Sequence, residues 1–141
     1  MVNIPFHLAI PVTNLLAAKA FYHGVLGCAL GRQSDDWIDY NFFGHQLVTH
    51  LSDDMGADIC NAVDGDAVPV RHFGCVLEWS AWEALATSLR QADVPFLLEP
   101  RIRFAGEPGE QGTFFVKDPS GNALEFKTFR DADRLFATGD T

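Results

Sequence analysis

The order of the predicted elements is the strongest constraint on the fold of this chain. One strand, one helix and three further strands follow each other, and this series occurs twice. The first copy has extended apolar runs at residues 6–12, 28–33, 37–42 and 45–51. The second has them at residues 72–79, 96–98, 113–117 and 123–129. His72 opens the second copy and follows His7, which opens the first, by 65 residues. Each module is too thin to bury a core alone, so we expect the two sheets to pack together or against a second chain.

Helix signals occur at the same place in both copies. Thr13 or Asn14 can cap a first helix whose apolar residues recur at helical spacing, and Gly27 is placed to end it. In the second copy, Ser80 followed by Glu83 predicts a capping box. The chain is therefore predicted to be α+β, with two βαβββ modules.

Length predicts one domain over residues 1–141. Module one covers about residues 5–52, and module two about residues 71–129. Residues 53–70, rich in Asp, Gly and Ala without periodicity, are predicted to be a linker. The acidic, polar tail, residues 130–141, can pack on a partner subunit or stay disordered, and we expect disorder.

The composition of the chain limits the kinds of molecule that we expect it to bind. The chain is 48% hydrophobic, enough to fill a core, and its formal net charge of −9 argues against nucleic acid or an anionic membrane. Neither a signal peptide pattern nor a membrane-spanning run is present in the sequence. Its three cysteines are odd in number and lack CxxC spacing, which favours reduced thiols. We expect a soluble, cytoplasmic protein that binds a small molecule.

Four residues capable of binding metal lie inside extended apolar runs. His7 and His72 begin the first strand of each module, and His50 and Glu125 lie in the last strand of each. One histidine in an apolar run is more often a core or edge residue, but repetition at equivalent strands favours a site. Two imidazoles and one carboxylate, which leave the other coordination positions of the metal open, suit Fe(II). With His50 as a fourth ligand, the set suits Zn, Ni, Co or Mn nearly as well.

Two stretches of sequence resemble a known superfamily. Residues 12–15 read VTNL, residues 20–22 read AFY, residues 25–27 read VLG, and residues 118–126 read DPSGNALEF. They resemble the opening and closing motifs of the vicinal oxygen chelate superfamily, which includes glyoxalase I, bleomycin resistance proteins and extradiol dioxygenases. The resemblance covers residues 6–129. It implies a glyoxalase-like fold with curved mixed sheets forming a partly open barrel around a metal site, usually in a homodimer.

The resemblance also implies roles for individual residues. His7 matches the first-strand ligand, His72 the ligand of the second module, and Glu125 the final carboxylate. Where glyoxalase I has a glutamate, the match falls on His50 or on Val48, two residues apart. A histidine there departs from glyoxalase I.

The implied function is that of a metal-dependent enzyme acting on a small oxygenated metabolite. Extradiol dioxygenase-like chemistry on Fe(II) ranks first, with His50 and Glu125 as catalytic residues. A glyoxalase I-like lyase or epimerase, with one of the same two residues as the base, is the alternative.

Two other members of the superfamily remain in competition. A thiol transferase of the fosfomycin-resistance type needs a cationic lining, for which the chain offers Arg71, Arg101, Arg103, Lys117 and Lys127. A bleomycin-resistance-type protein binds a cationic drug in an acidic, aromatic groove and generally lacks the metal ligands.

Overall fold

A computed structural model describes residues 4–138 and confirms the α+β order of elements. The strands of the first sheet are β1 (His7–Val12), β2 (Ala29–Gln33), β3 (Trp37–Phe42) and β4 (His45–Leu51). They lie in the order β1-β4-β3-β2, with β1 parallel to β4 and the other pairs antiparallel. The parallel pair places the first and last strands of the module side by side.

The helix of module one is α1 (Leu15–Lys19), which continues as a π-helical segment, Ala20–Val25. The side-chain oxygen of Asn14 accepts a hydrogen bond from the Ala17 N–H at 2.9 Å. Asn14, rather than Thr13, is therefore the N-cap. Gly27, at φ 75°, takes the left-handed conformation that ends the helix, as predicted.

The segment between the modules is more ordered than the sequence predicted. Strands β5 (Cys60–Val63) and β6 (Asp66–Pro69) form an antiparallel hairpin. The predicted linker therefore contains a hairpin that its sequence did not indicate. Its turn residues, Asp64 and Gly65, both have positive φ, which is the conformation that an Asp-Gly pair favours in a tight hairpin.

The second module repeats the first. It consists of β7 (His72–Val76), α2 (Trp79–Gln91), β8 (Phe96–Arg103), β9 (Gln111–Lys117) and β10 (Ala123–Phe129). Its sheet has the order β7-β10-β9-β8, again with the first and last strands parallel. The prediction of two βαβββ modules is confirmed. No helix within residues 4–138 is long and apolar enough to cross a membrane.

Two local predictions were wrong. Helix α2 begins directly after Glu78, so Ser80 and Glu83 lie inside it and form no capping box. In the tail, which was expected to be disordered, Ala132–Phe136 form a 3-10 helix capped by the side chain of Asp131. Residues 139–141 of that tail lie outside the described part of the chain.

The chain divides into two compact units. Unit 1 runs up to Arg71 and includes Asp118–Asn122, the turn between β9 and β10. Unit 2 comprises His72–Lys117 and the chain from Ala123 onward. In unit 1 the buried side of the sheet carries Tyr40 and Thr49 beside Tyr22 of the helix.

In unit 2 the buried side of the sheet packs on α2. The ring of Trp82 lies 5.6 Å from that of Phe114, and its indole N–H donates to the Phe126 carbonyl oxygen at 2.9 Å. Because strand residues alternate between faces, the remaining residues point away from the helix. We call this side of each sheet its far face. Its residues include His7, Ala9, Gln46, Val48 and His50 in unit 1, and His72, Gly74, Thr113, Phe115 and Glu125 in unit 2.

Candidate functional site

Two of the predicted metal ligands, His72 and Glu125, lie side by side in unit 2. The His72 Nε2 atom is 3.3 Å from the Glu125 Oε1 atom. Glu125 alternates with the fully buried Leu124 and Phe126, so its carboxylate projects from the far face. The two side chains are 30% and 18% exposed, which leaves both within reach of a cation from solution.

A glycine lets the two ligand strands approach closely. Gly74 is the cross-strand partner of Glu125. A Cβ atom at this position would lie 1.6 Å from the Glu125 carbonyl oxygen, a distance that no real side chain tolerates. Gly74 is thus required for the spacing of β7 and β10, and that spacing brings His72 beside Glu125.

Neighbouring side chains hold the pair in place. The Thr113 hydroxyl donates to Glu125 Oε2 at 2.5 Å, so the Oε1 atom is the one directed to His72. The His72 ring also packs edge-on against Phe115, with the centroids 5.1 Å apart. These contacts restrict the rotamers of both candidate ligands before any cation binds.

His7 lies in unit 1, where a glutamine fixes its ring. The His7 Nδ1 atom is 2.8 Å from Gln46 Oε1. Because an amide oxygen only accepts hydrogen bonds, this contact places the proton on Nδ1 and leaves the Nε2 lone pair for a metal. His7 is exposed, and Gln46 is its cross-strand partner on the far face.

The register of the parallel strands distinguishes Val48 from His50. His7 pairs with Gln46, and His72 pairs with Ala123. Val48 lies two residues after Gln46 in unit 1, and Glu125 lies two residues after Ala123 in unit 2. The equivalent of Glu125 is therefore Val48. His50 is four residues beyond Gln46, the partner of His7, and so lies about 13 Å from Gln46 along the strand.

The structure gathers some of the predicted ligands and not others. Unit 2 brings His72 and Glu125 together, while His7 and His50 belong to unit 1. Among residues 4–138, no three or more His, Cys, Asp and Glu side chains are grouped so as to hold a metal ion.

Three residues that support the candidate ligands, Gly74, Gln46 and Thr113, were missed from the sequence. Gly74 had a usable signal, because glycine inside a strand pattern indicates close approach of another backbone. Gln46 and Thr113 are identified only by the register, which places one beside His7 and the other diagonally beside Glu125.

The DPSGN motif has a structural role of its own. Asp118, 4% exposed, accepts hydrogen bonds from the Ser120 and Asn122 backbone N–H groups, the Asn122 amide and the Tyr22 hydroxyl. Burial, and secondarily the Asp118 carboxylate, raise the pKa of Tyr22 well above its usual value. This network fixes the turn within unit 1, immediately before the strand that carries Glu125.

Comparisons with known proteins agree with this fold. The model of the Glyoxalase/Bleomycin resistance protein/Dioxygenase superfamily matches residues 4–126. A glyoxalase/bleomycin resistance protein/dioxygenase from Alicyclobacillus acidocaldarius is 38% identical, with a TM-score of 0.76, over 95% of this chain and 97% of that one. No curated protein sequence matches the chain.

Two more distant structures share the fold. A fosfomycin resistance protein from Listeria monocytogenes is 14% identical, with a TM-score of 0.71, over 96% of this chain and all of its own. A lactoylglutathione lyase from Agrobacterium tumefaciens is 15% identical, with a TM-score of 0.65, over 97% of this chain and 98% of its own. At these identities the likeness concerns the fold alone.

Proposed function

We propose that this chain, which belongs to the glyoxalase/bleomycin resistance protein/dioxygenase superfamily, is a metal-dependent enzyme acting on a small oxygenated metabolite. In this proposal His7, His72 and Glu125 bind one divalent cation. The observation that carries it is the His72–Glu125 pair, with its 3.3 Å separation on the far face. A partly exposed carboxylate held beside an imidazole by Thr113 is a preformed half of such a site.

The donor set fits a divalent transition metal. Two imidazole nitrogens and one carboxylate oxygen form the two-histidine, one-carboxylate set typical of Fe(II), with Zn, Ni, Co and Mn as the other candidates. Val48 offers no donor at the position equivalent to Glu125, so the proposed set has three ligands and open positions. A metal held by these three residues would supply Lewis acidity and would stabilise negative charge that develops on the substrate.

The protein's own residues supply orientation and proton transfer. Gln46 keeps His7 in the tautomer with a free Nε2 atom, and Thr113 keeps one oxygen of Glu125 occupied. We assign His50, exposed on the far face of unit 1, the role of proton carrier rather than that of fourth ligand. Extradiol dioxygenase-like chemistry is the reaction that this assignment favours.

Metal analysis tests the ligand set. Purified wild-type protein, loaded with Fe(II) without oxygen and then desalted, should retain stoichiometric metal, whereas His7→Ala and Glu125→Ala should lose it. Glu99→Ala is the matched control, because Glu99 is an exposed carboxylate of the same unit that pairs with Arg90 at 3.0 Å. Wild-type protein that binds no metal would refute the proposal.

Substrate turnover tests the reaction. The Fe(II)-loaded enzyme should cleave a catechol with consumption of oxygen, and His50→Gln should slow turnover while metal content is unchanged. If catechols are inert and a thiohemiacetal is converted with Ni(II) or Zn(II), the activity is that of a glyoxalase I-like lyase.

We also propose a homodimer, which light scattering on a sizing column would test. Mixing His7→Ala with Glu125→Ala then reveals which chain supplies each ligand. Partial recovery of bound metal would mean that His7 and Glu125 of one site come from two copies. No recovery would mean that one chain supplies both.

A further inference from the structure

A tryptophan that the proposed function leaves unused lies at one end of the far face of unit 1. Trp37 is the first residue of β3 and the cross-strand partner of His50 on β4, so both side chains lie on this face. Its indole is partly exposed. Because β3 lies between β4 and β2, the neighbour of Trp37 on its other side comes from β2.

A bulge in β2 supplies that neighbour. The register of β2 with β3 shifts by one residue between Leu30 and Gln33. Gly31 and Arg32 therefore both lie opposite Asp39, which is the arrangement of a β-bulge. Strict alternation would turn Arg32 toward the helix, and the extra residue turns it to the far face instead.

The arginine at this bulge is already paired, and it packs on the indole. Its Nε atom donates to Asp39 Oδ2 at 3.3 Å, and Asp39 is 7% exposed. Its guanidinium carbon lies 5.4 Å from the centre of the Trp37 ring. A Cβ atom at Gly31 would crowd this arrangement, since it would lie 3.0 Å from the Asp39 Cβ atom. The bulge and the ion pair thus hold Arg32 against Trp37.

The turn between β2 and β3 fixes the backbone of the same tryptophan. The Ser34 Oγ atom accepts hydrogen bonds from the backbone N–H groups of Asp36 at 3.1 Å and Trp37 at 3.2 Å. The Ser34 N–H donates to the Trp37 carbonyl oxygen at 2.9 Å. Because backbone and ring are both held, little side-chain freedom is lost when a ligand packs on this indole.

The other partly exposed tryptophan is placed differently. Trp79 begins α2, on the helix side of the unit 2 sheet. Its ring centre lies 3.5 Å from the guanidinium carbon of Arg130 and 5.9 Å from the ring centre of Trp82. Trp79 therefore packs among residues of its own unit, away from the far face, and serves as a matched comparison for Trp37.

The position of Trp37 along the sheet sets the shape of a ligand that could use it. The candidate metal ligand of this unit, His7, pairs with Gln46, whereas Trp37 pairs with His50, four residues farther along β4. The two rows are therefore about 13 Å apart along the strand. A substrate that reaches both rows needs a second group, remote from the oxygens that bind metal.

We infer that Trp37 is a specificity-determining residue, which packs against a planar aromatic group at the end of the substrate remote from its metal-binding oxygens. The inference rests on the proposed function, because it takes His7 as a metal ligand. An aromatic group is favoured over a saturated one of similar size, since two aromatic rings attract each other beyond the area that they bury.

Two catechols that differ only in their second ring test the inference. We would titrate 4-phenylcatechol and 4-cyclohexylcatechol into the protein by NMR. The two share the oxygens that chelate metal, and only the first has a planar second ring. The Trp37 indole N–H signal, identified by its loss in Trp37→Leu, reports contact, and the amide signals of β3 and β4 give the affinities. Both titrations are run on metal-free and on Zn(II)-loaded protein, and metal content is measured separately.

The wild type should bind 4-phenylcatechol about fivefold more tightly than 4-cyclohexylcatechol, which is the size of an aromatic pair. Trp37→Leu should lose this preference, and Trp37→Phe should keep most of it. Trp79→Leu, which removes the other partly exposed tryptophan with an arginine over its ring, should retain it. An unshifted Trp37 signal, equal affinities in the wild type, a preference that survives in Trp37→Leu, or an equal loss in Trp79→Leu would overturn the inference.

The two proposals fail in different ways. A preference that depends on Trp37, found in protein that binds no metal, would support the aromatic contact and remove the proposed enzyme. Stoichiometric metal without any preference would support the enzyme and remove the aromatic contact.

Discussion

The two modules have the same sheet order and the same parallel register, yet their equivalent positions carry different chemistry. Beside the first histidine of each module, the last strand has Val48 in unit 1 and Glu125 in unit 2. Val48 is 6% exposed and apolar, whereas Glu125 is a partly exposed carboxylate held by Thr113. The repeated fold therefore supplies equivalent positions, and the side chain decides whether a position can bind metal.

The modules also differ in how closely their parallel strands approach. Opposite Val48 in unit 1 lies Ala9, whereas opposite Glu125 in unit 2 lies Gly74. Ala9 has a Cβ atom, whereas a Cβ atom on Gly74 would lie 1.6 Å from the Glu125 carbonyl oxygen. The strand contact that brings the candidate ligands together is thus the tighter of the two.

Gly74→Ala should give the largest effect, a loss of about 3 kcal/mol in the free energy of unfolding, because a backbone atom must move to admit the methyl group. Urea denaturation measures it. Ala9→Gly, the matched change in unit 1, should cost about 0.5–1 kcal/mol through backbone entropy alone. If Gly74→Ala costs no more than Ala9→Gly, the two strand pairs do not differ in the way described.

The helices are anchored by different polar contacts. In unit 1 the Tyr22 hydroxyl donates to the buried Asp118 carboxylate at 2.7 Å, whereas in unit 2 the Trp82 indole donates to a neutral backbone carbonyl. A hydrogen bond to a buried charge contributes more than a neutral one. Loss of the Tyr22–Asp118 hydrogen bond should therefore lower the free energy of unfolding more than loss of the hydrogen bond from Trp82 to the Phe126 carbonyl.

Tyr22→Phe should destabilise the protein by about 2 kcal/mol at neutral pH, because the buried Asp118 side chain loses one of its hydrogen-bond donors. The control is Tyr40→Phe. The Tyr40 hydroxyl receives only a 3.4 Å bond from the Thr49 hydroxyl, so its removal should cost less. Equal losses for the two variants would contradict the special role of the Asp118 contact.

The same pair of variants has a pH signature. Because the pKa of Tyr22 is raised in the folded protein, the unfolded chain loses this proton first as pH rises above about 10. Wild-type stability should then fall with pH, and Tyr22→Phe should show a smaller fall. Burial raises the pKa of Tyr40 too, so part of the slope should remain.

Much of the fold could be predicted because alternation and turn residues report on it directly. The bounds of β3, β4 and β10 match the predicted runs, and Asn14 was one of the two predicted caps. The hairpin of β5 and β6 was missed because its strands are mostly exposed and have no buried face to impose alternation. Its Asp64-Gly65 turn was the signal that remained.

The candidate site could be predicted only in part, because its details depend on register. A carboxylate between Leu124 and Phe126 is visible in the sequence, whereas the choice between Val48 and His50 requires knowing which residue faces His7. The hydrogen bond from Thr113 to Glu125 joins residues of neighbouring strands, and no local pattern encodes it. A shift of two residues keeps every side chain on its face, so alternation cannot detect it.

Thr113→Val tests whether the support around Glu125 matters for metal binding. Loss of the hydroxyl should weaken metal affinity about tenfold, in the range seen when a residue that orients a ligand is removed. Competition with a chromogenic chelator measures the change. Thr128→Val is the control: its buried hydroxyl has no hydrogen-bond partner in the described part of the chain, so its loss should leave affinity unchanged. Equal effects of the two variants would mean that Thr113 does not orient Glu125.

His50→Ala should give the smallest effect, a change in metal affinity within about twofold, or about 0.4 kcal/mol. In the register His50 is equivalent to Lys127 rather than to Glu125, and it lies about 13 Å along the sheet from the partner of His7. The same chelator competition measures it, with Val48→Ala as the control for disturbing β4. A loss as large as that of Glu125→Ala would make His50 a fourth ligand, and unit 1 would then supply two ligands from positions that the parallel strands hold apart.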